Sequence, residues 1–201
     1  PETNGSHPNT IMRVIAGLHR GRRLLGPRGQ AIRPTSDRVK EALFSILGER
    51  TTGARVLDLY AGTGSIGIEA LSRGAAHATF VEADRQALRL VNSNLEQCGL
   101  QQSANVCACQ VSQFFRRATQ WSGPYDIVFC DPPYQLTPEL IAMAQEWNAG
   151  WLADDAVVII EHGKKAEIPQ TLGLLSQVKR YDYGDTALTR FHVTAKEAQP
   201  R

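Results

Sequence analysis

At 201 residues, with 42% apolar and 21% charged residues, the chain has the size and composition of one ordinary globular domain carrying a small appendage. No stretch approaches the ~18 uninterrupted apolar residues that a membrane helix needs. The opening PETNGSHPNT has no apolar centre that would make it a secretory signal, so a soluble, cytoplasmic protein is expected. Net charge is only +2, but residues 1–40 hold eight Lys/Arg against two acids, a net +6, while the remainder is a net −4. A basic segment on a mildly acidic body suggests a separate handle for a polyanion.

In chain order, residues 1–11 read as disordered. Two short apolar runs, 12–16 and 22–25, are separated by Gly17 and Gly21 and predict a hairpin. Thr35, Ser36 and Asp37 then precede Val39, Ala42, Leu43, Ile46 and Leu47, whose spacing predicts an amphipathic helix with its N-cap just ahead. From residue 55 the pattern alternates: strand 56–59, helix 65–72, strand 78–82, helix 85–97, strand 104–109, helix 111–119, strand 125–130, helix 138–147 and strand 156–161. Strands that are nearly continuous apolar runs, interleaved with helices, imply an α/β fold with a parallel sheet covered on both faces. Segments 174–183 and 188–194, joined through Gly184 and Asp185, predict a closing antiparallel hairpin. The expected organisation is a basic hairpin-and-helix extension over 12–50, a main domain over 51–195 and a tail over 196–201.

Cys98, Cys107, Cys109 and Cys130 form no C-x-x-C pair and read as reduced core thiols. His7, His19, His77, His162 and His192 are scattered without ligand spacing, so no metal site is expected. His162 beside Glu161 reads more readily as a solvated strand-end residue than as part of a pocket.

Asp58-Leu59-Tyr60-Ala61-Gly62-Thr63-Gly64-Ser65-Ile66-Gly67 ends a strand and opens a helix, with glycines that let backbone approach a ligand closely. The G-x-G-x-x-G spacing alone permits a dinucleotide site. The acids argue otherwise. Asp58 at the strand end would repel a pyrophosphate but could pair with an ammonium, and Glu82 at the next strand end could accept from both hydroxyls of a ribose. S-adenosylmethionine carries both groups. Taken singly, Asp58 could be a structural strand-end carboxylate and Glu82 a helix cap.

After the fourth strand comes Asp131-Pro132-Pro133-Tyr134. The prolines fix the backbone and donate nothing, so the Pro132 carbonyl and the Asp131 carboxylate form a rigid pair of acceptors suited to an NH2 group. An exocyclic base amine is a poor nucleophile because its lone pair is delocalised into the ring, and two such acceptors favour its tetrahedral form. Tyr134 would stack on the base.

With these segments the chain resembles the RsmD-type family of small-subunit ribosomal RNA guanine-N2 methyltransferases. The likeness runs from about residue 12 to 193. It includes Arg13-Val14-Ile15-Ala16-Gly17, Arg20-Gly21-Arg22-Arg23-Leu24, the run from Arg33-Pro34-Thr35-Ser36-Asp37-Arg38 to Phe44, and Tyr183-Gly184-Asp185-Thr186. The resemblance implies a class I S-adenosylmethionine-dependent methyltransferase (Rossmann-like) fold with a mostly parallel seven-stranded sheet. It implies S-adenosyl-L-methionine as cofactor and 16S ribosomal RNA as partner, within a small subunit or an assembly intermediate, for a monomeric enzyme. Carried over, Asp58, Tyr60, Gly62, Gly64, Glu82 and Gln110 contact the cofactor, Asp131, Pro132 and Tyr134 are catalytic, and Arg20, Arg22, Arg23, Arg33 and Arg38 face RNA. Gln110-Val111 departs from the acidic or amide residue followed by alanine that many relatives carry, although an amide can still accept from an adenine amine. Glu69 and Arg38 read equally as mouth-facing or as surface helix charges.

Adenine-N6 methylation of RNA or DNA and glutamine methylation in a protein would use the same acceptors. A nicotinamide-dependent oxidoreductase would use the glycines but give Asp131 to Tyr134 no role. A non-enzymatic RNA-binding protein would explain the arginines alone.

Overall fold

The computed structural model of the protein describes residues 12–27, 37–116, 123–145, 147 and 150–194. The disordered start and the tail expected from the sequence lie outside the described residues, as do Arg33 and the expected N-cap of the first long helix. The extension contributes β1 (Met12–Arg13), β2 (Arg23–Leu24) and α1 (Asp37–Leu47). The alternating part runs β3 (Arg55–Leu59), α2 (Ser65–Ser72), β4 (His77–Glu82), α3 (Arg85–Cys98), β5 (Ala104–Ala108), α4 (Val111–Arg116), β6 (Tyr125–Cys130), α5 (Thr137–Ala144) and β7 (Leu152–Gly163). The chain closes with β8 (Thr171–Leu172), β9 (Leu175–Tyr183) and β10 (Thr186–Val193).

The main sheet has the order β5-β4-β3-β6-β7-β10-β9-β8. Strands β3 to β7 pair in parallel and the last three antiparallel. The sheet therefore has eight strands, one more than the seven that the resemblance implies. The extra strand is two residues long and turns back at Gly173, too short to show a hydrophobic period. Strand β7 begins four residues earlier than its apolar run, because Asp154 and Asp155 are exposed on it and break the pattern that reveals a buried strand.

Side-chain alternation divides the core in two. Val56, Phe80, Ile127, Phe129, Val157 and Ile159 pack on the face covered by α1, α2 and α3. Leu57, Leu59, Val81, Val128, Val158 and Ile160 pack with Phe114, Leu140, Trp147 and Trp151 on the other. All four cysteines are buried and free.

Every residue of α2 is buried, so a third layer must cover its outer side. The extension supplies it. Glu69, with no exposed surface, accepts hydrogen bonds from Ile15 N–H (2.7 Å), Ala16 N–H (2.9 Å) and Arg73 Nε–H (2.8 Å). It is not the surface charge that its place in a helix allowed. Ser72 accepts from His19 N–H and donates to the Ala16 carbonyl, and Gly17 lies so close that a Cβ there would sit 1.8 Å from the Ser72 carbonyl oxygen. On α1, the buried Lys40 donates to the Arg13 carbonyl at 2.6 Å, and burial lowers its pKa against the pull of Glu69 and Asp37. Met12, Val14, Leu24, Val39, Leu43 and Phe44 join the same hydrophobic cluster as the sheet.

Glu69→Ala strands two backbone donors and a guanidinium in the interior, and should cost about 3 kcal/mol of stability. Urea unfolding checks the magnitude. Hydrogen exchange should show the Ile15 and Ala16 amides losing protection, whereas Glu69→Gln, which keeps an acceptor, should lose less.

Candidate active site

Strand order reverses between β3 and β6, and open α/β sheets bind their ligands at the carboxyl ends of strands flanking such a reversal. Leu59 pairs in register with Cys130 there, and the Asp131 N–H reaches the Leu59 carbonyl at 3.4 Å. This register brings the glycine loop after β3 beside the Asp131-Pro132-Pro133-Tyr134 segment after β6. Segments 73 residues apart in sequence, from Asp58 to Asp131, become neighbours.

Among described non-glycine residues only Tyr60 has positive φ, at 61°, a backbone strain that typically marks functional turns. Gly62 and Gly64 follow at φ 57° and 76°, conformations that a side chain would resist. Gly67 answers a different need: a Cβ there would lie 2.3 Å from the Phe80 ring, so its absence lets α2 close on the sheet.

The N–H groups of the loop's three glycines already have partners. Glu82 Oε2 accepts from Gly62 (2.8 Å), Asp58 Oδ2 from Gly67 (3.0 Å), and the Ala61 carbonyl from Gly64 (2.8 Å). A pyrophosphate loop offers such donors to the ligand; here the side chains of Glu82 and Asp58 hold those of Gly62 and Gly67, which disfavours an anion and suits a cation. Glu82 also accepts from Ala83 and Asp84 through Oε1, so three of a carboxylate's roughly four acceptor positions are used. Asp58 is buried, and desolvation, with Asp131 and Glu82 nearby, raises its pKa well above the carboxylate range despite the Gly67 bond. Burial likewise raises Tyr60.

Beside the loop opens a cavity of about 670 Å³. Tyr60, Glu82 and Asp84 line one side, Gln110, Val111 and Phe115 another, and Pro133, Leu136, Met143 and Trp147 a third. Of the expected cofactor residues, Tyr60, Glu82 and Gln110 thus line it, whereas Asp58, Gly62 and Gly64 are not among its lining residues. Asp131, Pro132 and Tyr134 do not line it either; Pro133 between them does. Tyr134 is 45% exposed. Its hydroxyl bonds Thr186 Oγ1 at 3.1 Å, and its ring lies over Gly163. Pro132 is buried, and the Pro133 carbonyl accepts from Leu136 N–H at 2.7 Å.

His162 is wholly buried in β7, contrary to the solvated strand end expected for it. The Gly163 carbonyl can only accept, so Nδ1 donates to it at 3.0 Å, and Nε2 accepts from Thr189 at 2.8 Å. Burial lowers its pKa, which fits this neutral ring.

Arg20, Arg22, Arg23 and Arg38 are exposed, and Arg33 lies outside the described residues. Arg22 donates to the Gln97 carbonyl at the end of α3. Because α2 and α3 return from the carboxyl edge to the amino edge of a parallel sheet, the hairpin tip beside Ser72 and Gln97 sits at the edge away from Asp131. Asn94, a buried amide on the apolar stripe of α3, was not singled out from the sequence. It accepts from Leu25 N–H (2.7 Å) and donates to the carbonyls of Leu25 (3.1 Å) and Thr63 (3.0 Å), tying the extension to the glycine loop. A polar residue within an otherwise apolar stripe was the available signal.

Sheet order, glycine turn and paired strand-end acids together are those of the class I S-adenosylmethionine-dependent methyltransferases. An RNA methyltransferase from Salinibacter ruber, solved in complex with S-adenosyl-L-homocysteine, shares this fold with a TM-score of 0.60 at 16% identity, covering 84% of this chain and 97% of that one. The family described as conserved hypothetical protein 95 matches residues 12–192, and the chain belongs to it, the RsmD family. Ribosomal RNA small subunit methyltransferase D of Escherichia coli (strain K12) is 38% identical over 160 residues, 79% of this chain and 78% of its own. The solved structure of yhhF from Escherichia coli superposes with a TM-score of 0.79 at 33% identity, covering 92% of this chain and 99% of that one.

Asp58→Asn keeps an acceptor for Gly67 while removing a buried carboxyl that is costly to ionise. A carboxyl whose folded pKa is raised makes the fold more stable as pH falls, since the native state binds more protons than the unfolded chain. The Asn variant should therefore melt above the wild type at neutral pH. The gap should close as pH approaches the ordinary Asp range, and thermal melts across pH check both signs.

Proposed function

We propose that this protein transfers the methyl group of S-adenosyl-L-methionine to the exocyclic N2 amine of a guanine in 16S ribosomal RNA. The observation that carries the reading is the juxtaposition, across Pro133, of the cavity beside the glycine loop with the Asp131-to-Tyr134 segment at the sheet's switch point. The residues present fit the cofactor. The Gly62 and Gly67 donors are taken up by Glu82 and Asp58, and Glu82 keeps an acceptor position at the cavity wall for a ribose hydroxyl. When bound, the cofactor supplies an electrophilic methyl on a positively charged sulfur.

The chain's own groups then divide the work. Asp58 and Glu82 bring carboxyl oxygens to the glycine turn, Tyr60 and Gln110 border the cavity, and Gly62 and Gly64 allow close approach. Asp131 and the Pro132 carbonyl accept from the base amine and hold its nitrogen lone pair toward the methyl. Tyr134, the exposed aromatic of the segment, stacks on the base, its ring positioned by Thr186 and Gly163. Arg20, Arg22, Arg23, Arg33 and Arg38 contact RNA. The reading supports a monomer working in the cytoplasm; among the described residues no helix is long and apolar enough to cross a membrane. The relative named as a small-subunit ribosomal RNA methyltransferase supports the substrate class.

The test is transfer of labelled methyl to small ribosomal subunits lacking endogenous modification, followed by nucleoside analysis. N2-methylguanosine should form with the wild type and be lost in Asp131→Ala. Tyr134→Ala should lower kcat/KM by roughly 5- to 150-fold, the equivalent of a base stack worth about 1–3 kcal/mol. N6-methyladenosine would overturn the guanine assignment, and label found only in protein would overturn the RNA assignment.

A further inference from the structure

The exposed stripe of α3 reads Arg85, Arg89, Asn92, Glu96. Its charges are arranged against the stability of the helix. Arg85 occupies the first helical position, and the first turn contains no acid, so a cation sits where the helix dipole favours an anion. Arg89 follows four residues on, a like-charge pair on one face, which is also unfavourable. Neither arginine has an ion-pair or hydrogen-bond partner among the described residues. The acids nearest in sequence have other partners or lie too far along: Glu82 accepts from Gly62, Ala83 and Asp84 N–H, Asp84 Oδ1 accepts from Gln86 and Ala87 N–H, and Glu96 lies at the far end of the helix.

Position gives these charges a use. Ala83 and Asp84 line the cavity, and Arg85 follows directly. Strands β4 and β6 are separated only by β3, so the start of α3 lies about 10 Å, two strand spacings, to one side of Asp131. From there α3 runs about 21 Å toward the amino edge, where Arg22 meets the Gln97 carbonyl and Arg23 is exposed on β2.

We propose that the Arg85–Arg89 face of α3 is a track for the RNA phosphate backbone, joining the mouth of the active site to the arginines of the amino-terminal hairpin. Without it those arginines stand at the wrong edge of the sheet to serve a base held at Tyr134. With it, one strand of RNA can present its base at the mouth and run its phosphates down the helix to the hairpin. This rests on the RNA reading above and adds a binding face to it.

The test is the salt dependence of binding of a fluorescein-labelled mixed-sequence RNA oligonucleotide to wild type and to the Arg85→Gln/Arg89→Gln double variant, with KM for small ribosomal subunits measured alongside. Loss of two phosphate contacts should flatten the slope of log K against log salt by about 1.5 and raise KM several-fold. The melting temperature should stay level or rise, because the substitutions remove unfavourable charges. An unchanged slope overturns the track. If KM for the particles rises while the slope holds, α3 meets a protein of the particle instead, which also overturns it. Failure of the wild type to methylate RNA would strike the functional reading itself, whatever Arg85 and Arg89 do.

Discussion

The architecture depends on burying one carboxylate, Glu69, in the middle of the helix that begins at the glycine loop. A charge removed from water costs several kcal/mol unless hydrogen bonds repay it, and here the repayment comes from Ile15, Ala16 and Arg73. Two of those donors belong to the extension. The helix is therefore complete only when the hairpin is docked, since the hairpin supplies two of the three donors to Glu69. Arg73 carries the linkage onward, its guanidinium lying 4.5 Å from the centre of the Phe44 ring on α1. Asn94 repeats the arrangement one helix over, bonding Leu25 on one side and Thr63 on the other. An appendage by sequence is thus a structural layer, joined by hydrogen bonds to the loop on which cofactor binding is proposed to depend.

Much of this was legible in the sequence, for identifiable reasons. Helix α2 and strand β6 were read with their observed bounds because glycines and prolines punctuate their ends and apolar runs fill them. The approach of Asp58 to Asp131 could be anticipated only through the rule that ligands gather at strand carboxyl ends, since nothing local joins residues so far apart. What stayed hidden were polar groups whose burial depends on a distant partner. Glu69 sits in a helix as a surface charge would, and only the covering extension makes it internal. His162 follows Glu161 at what looked like a strand end, but β7 continues to Gly163 and β10 covers the ring. The edge of the sheet at which the hairpin arginines sit was hidden for a related reason: composition shows charge, but only helix direction shows position.

The acids at the switch point explain how one glycine turn can serve a cation while looking like an anion loop. A phosphate-binding turn needs free N–H groups, and those of Gly62 and Gly67 are bonded to Glu82 and Asp58. Burial raises the Asp58 pKa, and the nearby Asp131 and Glu82 add to it. That stored cost falls when a positive charge arrives. In the roles proposed for these residues, the same field also acts after methyl transfer. Their attraction is strongest for a sulfonium and weaker for the neutral thioether left behind, so the carboxylates favour the methyl donor over its product. The strain at Tyr60 and the buried carboxyl of Asp58 are then two costs carried by the unliganded protein at one turn, both held in place by a helix that the extension locks down.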